Sequence, residues 1–215
     1  ASRSKATGRK MAQASSQVGV SPDELATLAE IGRRLVGAQL EEAALCELIY
    51  ELAGQIVPTE NFQLGLFDED HYRIIVWVKD GQRQPPATFV VSAGQGIIGW
   101  LRAAREPLLV RDFATELATL PARPTYISDR PPRSAIFLPL VAADTAIGAL
   151  SIQSAQPHAF DDNHLRQLAV LVNQAAAALN NARLYARDQA RLTALQTLAE
   201  VGRKRVPREP PRQEV

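Results

Sequence analysis

A helical run that starts at Phe160-Asp161 and meets no glycine or proline until Gly202 constrains this chain more than any other feature. Asp161 suits an N-cap, and Phe160 is placed to staple onto Leu165. Leu165, Leu168, Val172, Ala175, Leu179 and Ala182 follow at alternating spacings of three and four, which lays one apolar stripe along a helix. Asp188 and Gln189 interrupt it, and a second stripe resumes at Leu192, Leu195, Leu198 and Val201. Roughly 40 residues of helix reach about 60 Å, farther than one domain of this size covers. The distal half is therefore expected to lie against a helix from outside the domain.

The rest of the chain reads as one α/β domain held between helices. Residues 1–20 are small, polar and basic, as a linker is. Ser21-Pro22-Asp23-Glu24 has capping chemistry and predicts a helix over 21–38, with Leu28, Ile31 and Leu35 on its apolar stripe. A second helix is expected over about 39–56, with Leu45, Leu48, Ile49 and Leu52 buried. The period then changes. Phe62, Leu64 and Leu66 alternate with smaller or polar residues, as in a strand, and Asp68-Glu69-Asp70-His71 reads as a turn. Further strands are expected over 72–78, 88–92, 107–110, 135–141 and 146–154, with a helix over 94–104 and a long connection over 113–134. Pro139 demands a sheet edge or a bulge at its position. The terminal stretches 187–206 and 207–215 read as a coiled-coil helix and a polar tail.

Composition narrows the function. Hydrophobic residues make up 46%, enough for a core. Net charge is +1, from 24 basic and 23 acidic residues, so no strong pull toward nucleic acid or anionic membrane is expected. No apolar run is long enough to span a bilayer. The single cysteine, Cys46, excludes an internal disulfide or a cysteine-based zinc site and suits a cytoplasmic setting. His71, His158 and His164 have no metal-ligand spacing. Neither a metal site nor a nucleophile with its base is indicated, so no catalytic residue is assigned.

Gly94-Gln95-Gly96-Ile97-Ile98-Gly99 satisfies the glycine pattern of dinucleotide loops. It follows strands that read as antiparallel and does not open a βαβ unit, so a tight turn into a packed helix is the better reading. Thr27-Leu28-Ala29-Glu30-Ile31-Gly32-Arg33 recurs as Thr197-Leu198-Ala199-Glu200-Val201-Gly202-Arg203. That echo, together with the opening Ala1, suggests a piece of a longer chain of similar modules.

Gly94 to Leu101, the run Glu106-Pro107-Leu108-Leu109-Val110-Arg111-Asp112, the strand pair around Ile136-Phe137-Leu138-Pro139 and Ile147-Gly148-Ala149-Leu150, and the helix with Asn180-Asn181-Ala182-Arg183-Leu184-Tyr185 resemble the GAF domain, in its order, over about residues 40–186. The resemblance implies a central antiparallel sheet of about six strands. Long N- and C-terminal helices would cover one face, and short helices and loops the other, where the family's ligand pocket lies. It implies a sensory module that is not an enzyme. Such a module homodimerises through flanking helices (Leu28, Ile31, Leu35, Leu192, Leu195, Leu198) and relays a ligand or partner signal to an output domain of the same chain, such as a histidine kinase. A structural spacer without ligand is the alternative, as is a small-molecule-binding domain of a transcription regulator or cyclic-dinucleotide enzyme.

Trp77, Phe89, Trp100, Phe113, Tyr126, Arg133 and Phe137 are the candidate pocket residues. Tyr126 and Arg133, with Arg123 and Arg130 of the same connection, would clasp an anion, and Trp77, Phe89, Trp100, Phe113 and Phe137 would fill the space or stack on something flat. Cofactors do not carry over. Cys46 falls among Leu45, Leu48 and Ile49 on a helix, unlike the cysteine that attaches a bilin in this family, and reads as a buried thiol. The methionine sulfoxide reductases of this fold need several cysteines.

Overall fold

The computed structural model describes residues 41–92, 94–125 and 131–204, with side chains through residue 196. The helix expected over 21–38, with Leu28, Ile31 and Leu35, lies outside the described residues, as do Tyr126 and the side chain of Leu198.

The chain runs α1 (Glu42–Ala53), β1 (Phe62–Asp68), β2 (His71–Lys79), β3 (Gln82–Arg83), β4 (Ala87–Val90), α2 (Gly96–Ala104), β5 (Leu108–Val110), α3 (Phe113–Glu116), β6 (Ser134–Ala142), β7 (Thr145–Ser154) and α4 (Asp162–Lys204). The sheet order is β3-β2-β1-β7-β6-β5, with β4 also on β2. Every pairing among the described residues is antiparallel. This is the expected sheet with its helices, enlarged by the two-residue β3. His71 starts β2 opposite Asp68 instead of standing in the turn, where Glu69 takes the positive φ.

α1 and α4 pack on one face. Leu45, Cys46, Ile49 and Leu52 of α1 meet Leu168, Val172, Ala175 and Leu179 of α4 over Phe62, Leu64, Ile136, Leu138, Leu150 and Ile152 of the sheet. Leu48, expected inside, is only half-buried. Asp161 starts α4 as its residue type predicts, its carboxylate accepting from the His164 N–H at 2.9 Å.

Two irregularities shape the other face. The β1–β2 register shifts between Leu64, opposite Val76, and Gly65, opposite Ile74, so Ile75 is an extra residue. The bulge splits one alternation: Tyr72 and Ile74 point away from the helices, whereas Val76 and Val78 point toward them. Gly65 sits at the bulge because a Cβ there would fall 2.5 Å from the Tyr72 ring. Pro139, opposite Ala149, lies past the end of β5, which pairs only with residues 135–137 of β6. Its missing N–H therefore falls where the outer edge of β6 has no strand beside it.

α4 spans 43 residues. Among the described residues its last buried side chain is Leu179; Leu184, Tyr185, Leu192 and Leu195 are 51, 68, 54 and 55% exposed. No helix among the described residues is long and apolar enough to cross a membrane.

Candidate ligand cavity

A row of side chains crosses the sheet on the face away from α1 and α4. Gln63 stands between Trp77 and Ser151, Ser151 beside Phe137, and Phe137 beside Leu108. The bulge puts Trp77 in this row by turning the odd positions of β2 toward this side. Above the row lies a cavity of about 290 Å³. Ile74, Gln63, Ser151 and Phe137 line it from the sheet. Phe89 and Val90 of β4, Ile97 and Ile98 of α2, Phe113 of α3, and Pro124, Thr125 and Pro132 of the long connection close it. A smaller cavity of about 190 Å³ shares Gln63, Thr125, Pro132 and Gln153 with it and extends past Trp77 to Lys79 and Asp80.

Local sequence explains how α2 reaches the cavity. Gly94 and Gly96 have φ of 82° and 67°, which side-chain-bearing residues avoid. Gly99 packs against the backbone of Ser92 and Gly94, and a Cβ there would press into the Ser92 carbonyl oxygen. The Gly94 N–H donates to the Gly99 carbonyl at 2.9 Å. The glycine pattern thus makes a tight turn that seats a helix against the sheet, as the antiparallel setting predicts.

Electrostatics sort the expected pocket residues. Asp112 caps α3 by accepting from the Ala114 N–H at 3.0 Å, and it receives Arg133 through two bonds, at 3.0 and 2.8 Å. The Arg133 guanidinium holds the Asp112 carboxyl below the usual carboxylate range. Arg133 does not line the cavity. Arg133 was expected to clasp a ligand; here the Asp112 carboxylate engages it at the foot of α3. Trp100 is half-buried on α2 against the core on this face and also lies off the lining. Phe89, Phe113 and Phe137 line the main cavity, and Trp77 the smaller one.

The polar lining residues Gln63, Ser151 and Gln153 were not among the expected ones. Ser151 is 1% exposed, and its Oγ has no hydrogen-bond partner among the described residues. Tyr72 is settled otherwise: its hydroxyl donates to the Ala149 carbonyl at 3.0 Å, and burial pushes its phenol pKa up.

On the opposite face, burial and then the Glu42 carboxylate push the Cys46 thiol up to about 12, which fits the expected structural thiol. Burial alone would raise Glu42 itself. Hydrogen bonds from Arg183 of α4 at 2.8 Å and Arg73 of β2 at 2.5 Å outweigh it and hold the carboxyl below its ordinary value. Glu42 thereby ties α1 to both α4 and the sheet. Among the described residues no three His, Cys, Asp or Glu side chains converge on a metal position.

A sequence model of the GAF domain matches residues 39–180. The chain belongs to the GAF domain family. Solved structures agree on the fold. The GAF domain of an Acinetobacter phosphoenolpyruvate-protein phosphotransferase superposes with a TM-score of 0.59 at 16% identity, over 77% of this chain and 97% of that one. A methyl-accepting chemotaxis protein fragment, residues 122 to 287, gives 0.58 at 15%, over 72% and 98%. The free methionine-R-sulfoxide reductase of Neisseria meningitidis, in complex with its substrate, gives 0.54 at 20%, over 78% and 96%. At these identities the likeness concerns the fold alone, which here serves both signalling proteins and an enzyme. Among curated proteins no sequence match was found.

Proposed function

We propose that this GAF domain is a sensory and dimerisation module that carries no catalytic chemistry of its own. A small molecule in the cavity would change the packing of β6. Alternate residues of that strand serve both sides of the sheet: Phe137 lines the cavity, while Ile136 and Leu138 belong to the core under α4. The change would pass along α4 to a second copy of the helix and then to an output domain of the same parent chain. A histidine kinase is one such output; a transcription regulator or cyclic-dinucleotide enzyme is the alternative. A cytoplasmic setting suits the one reduced thiol.

The observation that carries this reading is the uncovered continuation of α4. Leu192 and Leu195 are each about half exposed, one turn apart on a helix that runs on past its own domain. A second copy of the chain supplies the matching stripe by symmetry.

The reductase reading finds no support in the position of Cys46, which lies across the sheet from the cavity with its thiol held protonated. The spacer reading leaves the unpartnered Ser151 hydroxyl in the cavity without a purpose.

Sedimentation velocity tests the relay. The wild-type chain is expected to be a dimer at tens of micromolar, and Leu192→Asp/Leu195→Asp a folded monomer with unchanged far-UV circular dichroism over the sheet. A wild type that stays monomeric at high micromolar concentration ends the relay reading.

A further inference from the structure

The cavity has a chemical character sharp enough to specify its occupant by class. Among the described residues that line it, none carries a charge. Its polar groups are amides and hydroxyls, from Gln63, Gln95, Gln153, Thr125 and Ser151. Its apolar walls include three aromatic rings, Phe89, Phe113 and Phe137, with Ile74 and Ile97. The charged residues Lys79 and Asp80 belong to the smaller neighbouring cavity.

From this we infer that the domain binds an uncharged, planar molecule of one or two rings, bearing an amide-like or hydroxyl edge that hydrogen-bonds to Ser151 on the cavity floor. The inference rests on the sensor reading and adds the ligand class to it.

Three observations carry it. First, size: about 290 Å³ is roughly twice the ~150 Å³ cavity that takes a benzene, and it sits at the lower end of small-molecule sites. A dinucleotide or a tetrapyrrole does not fit such a volume. Second, an unmet hydrogen bond: the Ser151 Oγ is buried and unpartnered, and a buried hydroxyl that lacks a partner is a standing cost that a ligand group removes. Ser151 pairs across the sheet with both Gln63 and Phe137, so its hydroxyl has an amide on one side and a ring on the other. A flat ligand lying along the Phe137 side reaches both polar groups with one edge. Third, charge: the Asp112 carboxylate engages Arg133, one of the arginines of the long connection expected to meet an anion. The N-terminus of α2 at Gln95 and Gly96 favours negative charge, but modestly. Stripping water from a carboxylate in a cavity with no cationic side chain among its described lining residues outweighs that attraction.

Three probes built on one ring separate these elements: benzamide, its isostere benzoate, and the smaller apolar toluene, titrated at pH 7 against the full chain by ligand-observed NMR. Benzamide is expected to bind at least ten-fold tighter than benzoate. Ser151→Ala is expected to weaken benzamide at least five-fold and leave toluene within two-fold. It is also expected to raise the melting temperature of the free protein, because the unpaired hydroxyl is gone. Ser151→Leu, which fills the floor, is expected to abolish binding of both. If benzoate binds as tightly as benzamide, the ligand class is wrong while the cavity and the sensor reading stand. If Ser151→Ala weakens toluene and benzamide equally, or leaves benzamide unchanged, the hydroxyl is not the anchor and the assignment fails. Retention of benzamide by folded Ser151→Leu places the binding elsewhere and overturns the proposal. Should none of the three bind the folded wild type, the cavity is not a ligand site, and the sensing half of the proposed function falls with it, leaving dimerisation to be judged by sedimentation.

Discussion

Replacing Gly99 with alanine separates the two readings of the glycine loop, because helix propensity and packing push stability in opposite directions there. Inside a helix, glycine is about 1 kcal/mol less favourable than alanine, so propensity alone makes Gly99→Ala stabilising. Packing opposes this. The new methyl would press into the Ser92 carbonyl oxygen and lie 3.3 Å from the Gly94 nitrogen and 3.4 Å from its carbonyl carbon. All three are backbone atoms, so no side chain can swing aside and the backbone at Ser92 and Gly94 must shift. Overpacking of this kind costs about 1–3 kcal/mol. The shift also weakens the bond from the Gly94 N–H to the Gly99 carbonyl, worth about 1 kcal/mol. The balance is a net loss of about 2 kcal/mol, or a fall in Tm of roughly 4–8 °C for a domain of this size. Far-UV circular dichroism melts read it directly, run at one fixed protein concentration because the proposed dimerisation would make Tm concentration-dependent. Gly81→Ala is the control: Gly81 has φ of 74° and open space around it, so only the left-handed backbone opposes alanine, at about 1 kcal/mol. A Gly99→Ala protein that melts higher than wild type would refute the packing account and return the loop to the ligand-cradling reading.

Two further outcomes follow from the opposite face of the sheet. Glu42 has its folded pKa below the ordinary 4.5, so its contribution to stability is complete above pH 4.5 and is lost as pH falls through the folded value. Urea midpoints are therefore expected to drop between pH 5 and lower values in the wild type. They should drop less in Glu42→Gln, whose cost at pH 7 is on the order of 0.5–1 kcal/mol for so exposed a network; identical pH slopes would remove Glu42 from the account. Cys46 is 0% exposed with its thiol pushed up to about 12. A thiol-specific disulfide reagent at pH 8 is expected to label it only as fast as the protein unfolds, and rapid stoichiometric labelling of the native protein would contradict its burial.

Much of this fold was legible because its signals are local. The stripe from Leu165 to Ala182, the cap at Asp161 and the antiparallel setting of the glycine loop each depend on residues within a few positions of one another. Pro139 could be restricted to an edge or bulge from proline chemistry, and the shortness of β5 supplied the edge. What escaped depends on pairing across the chain. The alternation from Tyr72 to Val78 gives no hint that a bulge opposite Gly65 splits it between two faces; the glycine in the facing strand was the one available signal. Arg133 read as a free cation because the carboxylate that engages it stands 21 residues earlier. Ser151 and Gln63 were passed over because a lone polar residue in an apolar strand usually faces solvent. Only the β1–β7 register puts the two side by side under the cavity.

The unbroken passage of α4 out of its domain makes it a lever arm. Beyond Leu179 the helix runs on to Lys204, about 37 Å at 1.5 Å per residue. A tilt of about 5° where the sheet grips it displaces that far end by roughly 3 Å, comparable to the shifts that separate the discrete packings of paired helices. Under the proposed relay, a molecule that nudged β6 by a fraction of an ångström would be geared to a motion of that size at the far end of the helix. The gearing works only while the helix stays stiff, so a glycine pair inserted near Asp188 would uncouple the two ends without touching either.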